Sequence, residues 1–144
     1  MYRLALGFDA ELGQWLQKRI PHFSASPETR CVGVVRGKSL VGVVAYSNFS
    51  QPGEIWAGDV EMSCAADSPR WWSREVGRAM FKIPFEQFGC ERVTARVRKK
   101  DKRTRRFVEG IGFKLEGIMR RALKNDDICV YGFLRRDWEN SVYG

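Results

Sequence analysis

The chain has a single histidine, His22, and its four cysteines (Cys31, Cys64, Cys90 and Cys129) stand far apart. With no C-x-x-C step and no Cys/His cluster, a zinc finger is excluded and a resident metal has no ligand set. One histidine and no Gly-x-Ser-x-Gly step also argue against a Ser-His-Asp hydrolase. Long apolar runs are missing too. The longest, Leu40–Tyr46, falls far short of the ~20 residues a membrane span needs. The opening Met1-Tyr2-Arg3-Leu4 leads into no apolar stretch of the secretory-leader kind. The expectation is therefore a cytoplasmic protein with reduced thiols, no metal and no membrane partner.

Acidic charge is also scarce: 17 Asp and Glu stand against 25 Lys and Arg, a net charge of +8. Most of this excess sits between Glu91 and Arg106. There, Arg92, Arg96, Arg98, Lys99, Lys100, Lys102, Arg103, Arg105 and Arg106 face only Glu91 and Asp101. Such a localised run points to an anionic partner, nucleic acid among them. At 44% hydrophobic and 12% aromatic residues, the 144-residue chain is neither disordered nor of low complexity. Its length and unbroken composition predict one domain spanning 1–144.

Tyr2–Leu6 reads as a short strand. Asp9 reads as the N-cap of a helix carrying Leu12, Trp15, Leu16 and Ile20 at helical spacing until Pro21. Cys31–Val35 and Leu40–Tyr46 form a hairpin pattern around Arg36–Ser39. Ile55–Ala65 reads as a long strand, and Ser68-Pro69 as the start of a second helix that Pro84 must kink or end. Val93–Arg98 alternates as a strand, Thr104–Gly110 is a short helix, and Phe113–Met119 and Ile128–Leu134 make a final antiparallel pair. The order β-α-β-β-β-α-β-α-β-β predicts a mixed α/β fold.

That order, together with the stretch Arg105-Arg-Phe-Val-Glu-Gly-Ile-Gly-Phe-Lys-Leu-Glu-Gly-Ile-Met-Arg120, resembles the GNAT superfamily of acyl-CoA N-acyltransferases. Asp127, Val130–Arg135 and Trp138-Glu139 are similar to the closing strand of the ribosomal-protein alanine acetyltransferase branch. Ser68-Pro69-Arg70-Trp71, with Phe85 and Gly89, is similar to short bacteriophage-encoded members. The resemblance implies a central twisted mixed sheet with helices on both faces. It implies acetyl-CoA as co-substrate, direct transfer to a primary amine, and a monomer or homodimer. The family's pyrophosphate loop, Arg/Gln-x-x-Gly-x-Gly/Ala, is matched by Arg74-Glu-Val-Gly77-Arg-Ala79. The alternative is that Asp67–Ser73 forms the loop and first turn, with Ser73 in it and Arg70 and Arg74 as its cations. Two positions depart from the family: Asp101 replaces an asparagine, and Val108 replaces the tyrosine that protonates the leaving thiolate.

The chemistry selects further candidates. A helix start after a strand offers free N–H groups and a positive dipole end to a diphosphate, and Arg70 and Arg74 add charge-assisted bonds. In the GNAT fold the central strand splays from its neighbour and its free amides pair with the pantetheine arm; Cys64, Ala65 and Ala66 match that segment, with one amide as oxyanion donor. Trp71 is expected to cover the cofactor while Trp72 joins the core. An amine of pKa ~10 must lose a proton before it attacks. Asp59 and Glu61 share one face of the strand, and Glu61, nearer the splay, is the candidate base with Asp59 on the acceptor side. Tyr131 is the candidate donor to the thiolate, Tyr46 the second, and His22 borders the acceptor. The competing readings are a nucleic-acid-binding module built on residues 92–106, although no RNP motif or helix-turn-helix accompanies it, and a catalytically inactive CoA binder. The acceptor itself is not named by the sequence.

Overall fold

The computed structural model describes residues 1–144, built around one seven-stranded sheet in the order β1-β2-β3-β4-β5-β7-β6. The strands are β1 Tyr2–Ala5, β2 Arg30–Arg36, β3 Ser39–Ser50, β4 Asp59–Ala66, β5 Arg92–Arg98, β6 Lys114–Leu123 and β7 Asp126–Leu134. The helices are α1 Asp9–Arg19, α2 Arg74–Lys82, α3 Lys102–Ile111 and α4 Arg135–Glu139. Every neighbouring pair is antiparallel except β4 and β5. That parallel pair is joined through α2, as a parallel connection requires. The mixed α/β expectation holds.

Side-chain alternation gives the sheet two different faces. Val60 on β4, Val93, Ala95 and Val97 on β5, and Cys129, Tyr131 and Phe133 on β7 pack under α2 and α3 in the main core. Phe81 of α2 is fully buried there, with the rings of Phe133 at 5.1 Å and Tyr143 at 5.7 Å. On the opposite face Leu12 and Leu16 of α1 cover Cys31, Val43 and Ala45 in a smaller cluster. No helix packs there over β5, β7 and β6, and β6 is exposed along nearly its whole length. This open half-face lies beside α1.

Three local expectations are corrected. Asp9 does not cap α1; it is the first helical residue, and its Oδ1 accepts from the Cys31 N–H at 2.8 Å, tying the helix to β2. The central strand begins at Asp59 rather than Ile55. A turn closed by Gly53 N–H to the Trp56 carbonyl, then Gly58 at φ +101°, leaves Ile55 and Trp56 exposed. Ser68 does act as a cap, accepting from Arg70 N–H, but only a single 3₁₀ turn, Pro69–Trp71, forms. Trp71 turns into the core so closely over Gly42 that a Cβ there would overlap its ring, and the chain runs extended through Trp72 before Ser73 caps α2 at Arg74. At Pro84 the α-helix gives way, as expected, to a π-turn, Ile83–Gln87, that carries Pro84 and Phe85 into the core.

Phe81→Ala is expected to cost about 3–5 kcal/mol, because its aromatic neighbours cannot all close on the void. Urea denaturation of the two proteins measures it.

Candidate active site

The parallel pairing of β4 with β5 lasts only three positions: Asp59 with Arg92, Val60 with Val93, and Glu61 with Thr94. Beyond Glu61 the strands separate, while β4 stays paired to β3 as far as Ala66. The Gly58 carbonyl accepts from Arg92 N–H, and Asp67 N–H donates back to Val41 on β3. Alternation between those two points turns the N–H and C=O groups of Met62, Cys64 and Ala66 toward the gap, where no strand meets them. The splay leaves a row of free backbone donors and acceptors along one wall of a cleft.

Two connected spaces occupy the gap. The larger, about 730 Å³, is lined by Cys64, Ala65, Ala66, Ser68, Trp71, Trp72, Arg103, Thr104, Arg106 and Phe107, with Arg19 and Ile20 at the end of α1. Trp71, Trp72 and Phe107 form an aromatic wall, their centroids 5.1 to 5.7 Å apart. The smaller, about 60 Å³, lies at the apex between Met62, Ser63 and Cys64 on β4 and Ala95–Arg98 on β5, with His22 and Asp101. Arg19 braces the α1 side: it forms a two-pronged ion pair with Asp67 (2.8 and 2.7 Å) and stacks 3.4 Å over Trp15. Asp101 caps α3 by accepting from Thr104 N–H at 3.1 Å, so the departure from asparagine keeps a capping oxygen.

Glu61 is the last residue of β4 paired with β5, beside the gap but lining neither space, its side chain 15% exposed. Asn48 Nδ2 donates to its Oε1 at 2.7 Å, and Arg96 Nε lies 3.8 Å away. Asn48 reaches it because β3 bulges between Ser47 and Ser50, placing Asn48 in the left-handed region at φ 52°, which asparagine tolerates. Asp59 is engaged differently. It accepts from the Thr94 hydroxyl at 2.8 Å and sits 3.5 Å from Arg92, which also binds Glu116 at 2.7 Å. Of the two carboxylates on this face, Glu61 is the one next to the gap.

Cys64, Ala65, Ala66 and Trp71 line the cleft as expected, and Trp72 joins them rather than serving the core alone. Arg70, Ser73, Arg74 and Gly77 do not line it. The break after Trp71 separates Arg70 and Arg74 onto different elements, and Gly77 sits inside α2 where a Cβ would overlap the Tyr143 ring. Tyr131 is not brought to the gap. It passes beneath α3, donates to Glu109 Oε2 at 2.5 Å and accepts from Arg105 Nε at 3.0 Å, on the opposite flank of that helix from Arg103 and Phe107. Tyr46 is buried with its hydroxyl on the Met80 carbonyl. The basic run is divided among surfaces. Arg92 serves Asp59 and Glu116, Arg96 and Arg98 face the apex, and Arg103 and Arg106 face the larger cleft. Lys99, Lys100, Lys102 and Arg105 border a separate concavity beside Asp126 and Asp127. Sequence reasoning missed Asn48, Arg19 and the cleft-facing role of Arg103 and Arg106. Only the last had a signal, two arginines at i, i+3 after a capping Asp101.

Electrostatics separate the candidate groups. Burial pushes the Cys64 thiol up to about 12, with the Asp101 charge adding to it, so this cleft cysteine stays protonated and is a poor nucleophile. Desolvation, and secondly the Arg98 charge, lower the His22 pKa against the opposing pull of Glu61 and Asp101.

No family model matches the chain, and no curated protein does. Solved structures do. A dodecameric spermidine N-acetyltransferase from Vibrio cholerae superposes with a TM-score of 0.75 at 14% identity, covering 96% of each chain. A protein of T. thermophilus with a provisional acetyltransferase designation gives 0.69 at 21% identity, covering 99% of this chain and 89% of that one. At these identities the likeness is one of fold: the chain has the acetyltransferase fold, and the likeness does not extend to the two branches suggested by Ser68–Trp71 and Asp127–Glu139. No helix is long and apolar enough to cross a membrane.

With only one histidine in the chain, proton NMR reads His22 directly. Its titration midpoint is expected below 6.5 and should rise in Arg98→Ala, where a repelling charge is removed.

Proposed function

We propose that this protein transfers an acetyl group from acetyl-CoA directly to a primary amine, without an acyl-enzyme intermediate. The observation that carries the reading is the opening of β4 from β5 after Glu61, which leaves the Met62, Cys64 and Ala66 backbone groups facing a cleft. The residues present fit the co-substrate. Free strand-edge amides suit the amide-bearing pantetheine arm, the Trp71–Trp72–Phe107 wall suits its apolar stem, and Arg103 and Arg106 suit its phosphates. Acetyl-CoA would supply an activated thioester carbonyl at the apex. A β4 amide there would donate to the carbonyl oxygen as charge develops on it.

Glu61, hydrogen-bonded by Asn48, is the candidate to take the amine proton, directly or through a water. A protonated Cys64 offers no covalent route, which favours direct transfer. No tyrosine hydroxyl lines the gap, so the departing thiolate takes its proton from water. The inactive-binder reading loses weight because a carboxylate, Glu61, ends the paired part of β4 beside the gap. The nucleic-acid reading loses weight because the run that motivated it is spread over separate surfaces.

Glu61→Gln keeps the hydrogen bonding of the site and removes the base. It should lower kcat roughly 10²–10⁴-fold with acetyl-CoA affinity unchanged, the deficit shrinking as pH approaches the amine's own pKa. Full activity at pH 7 would remove Glu61 from this role. Calorimetry tests the phosphate end: the double variant Arg103→Ala/Arg106→Ala should weaken acetyl-CoA binding more than Arg70→Ala/Arg74→Ala. The reverse order would return the phosphates to the α2 side.

A further inference from the structure

Along β5 every second side chain, Arg92, Thr94, Arg96 and Arg98, points to the open face beside α1. The first two are spent on Asp59 and Glu116. The last two line the apex beside His22, and through His22 and Arg98 that space opens into a concavity of about 330 Å³ that also holds Lys124 and Asn125.

Neither Arg96 nor Arg98 donates a side-chain hydrogen bond, although Glu61 and Asp101 each keep one carboxylate oxygen free of one. The buried Nε of Arg98 has no hydrogen-bond partner. Its nearest acid, Asp126, is 3.6 Å away and already accepts from the backbone N–H groups of Lys100 and Asp127. Arg96 approaches Glu61 only to 3.8 Å, beyond hydrogen-bond length, and Asp101 is engaged as the cap of α3. The Arg98 side chain is 42% exposed, so its terminal guanidinium nitrogens, rather than the buried Nε beside Asp126, are the donors an oxyanion in the space would meet. Arginine's planar fork suits carboxylate and phosphate. A polyamine carries no acceptor for these guanidinium donors.

We infer that the acceptor amine belongs to a small molecule or peptide end bearing a carboxylate or phosphate within a few bonds of the nitrogen, and that Arg98 with Arg96 holds that anion while the amine faces Glu61. This rests on the acetyltransferase reading and sets the chain apart from the Vibrio cholerae spermidine N-acetyltransferase.

Initial acetylation rates, followed by mass spectrometry, compare glucosamine 6-phosphate with glucosamine, the dipeptide Ala-Asp with Ala-Asn amide, and both pairs with spermidine. One pair reports phosphate and the other carboxylate. In at least one pair the anionic member should lead by about tenfold in kcat/KM, with spermidine poorest, and Arg98→Ala should erase that lead through KM while kcat stays within about threefold. Arg98→Lys should restore part of it. Thermal melting checks that the variants fold, and Arg96→Ala gives a second reading if Arg98→Ala does not. Neutral acceptors or spermidine matching the anionic ones, or a lead that survives both alanine variants, overturns the inference while leaving acetyl transfer standing. If no acceptor is acetylated, the acetyl-transfer reading fails first. Calorimetry with N-acetylglucosamine 6-phosphate and N-acetyl-Ala-Asp in saturating CoA then decides the anion site: binding weakened by Arg98→Ala supports it, and no binding overturns it.

Discussion

The parting of β4 from β5 after three paired residues is the constraint on which the rest of this structure depends. A sheet that closed there would satisfy its own backbone groups and leave nothing for a ligand to pair with. The gap persists because both sides are wedged. On the α2 face, Trp71, Trp72 and Phe107 stand between the end of β4 and α3. On the other face, α1 is pinned to the residue after β4 through Arg19 and Asp67. The break between Pro69–Trp71 and α2 belongs to the same device, since one unbroken helix would not let Trp71 enter the core over Gly42.

Charge is distributed according to that gap. A linear reading finds one basic run, but strand alternation on β5 and the helical turn of α3 send its members to different places. Some become internal partners of carboxylates, some face the larger cleft, and Arg96 and Arg98 face the apex. The two β4 carboxylates diverge for a similar reason. Asp59 lies within the paired part of β4 and is drawn into the Thr94–Arg92 network, while Glu61 lies at its end with only Asn48 in close contact. The β3 bulge that delivers Asn48 gives this position its orientation.

Mixed α/β class, the order of the seven strands and first three helices, and the strand containing Cys64–Ala66 were legible in the chain, as was the place of Glu61 beside the splay; α4 was not. The legible features depend on periodicity, capping residues and chemistry carried by neighbouring positions, which survive in one dimension. What depended on packing was not legible. Ser68-Pro69 has the local signature of a helix start and honours it for one turn, until burial of Trp71 overrides it. Tyr131 has a suitable hydroxyl, but the position of α3 over β7 fixes it between Arg105 and Glu109, away from the gap. Arg103 and Arg106 enter the site, and Arg70 and Arg74 do not, because a side chain's partners are set by which elements lie across a cleft. Local preference wrote the elements; the competition of side chains for the same interior, and the three-residue limit on the β4–β5 ladder, decided which of them meet.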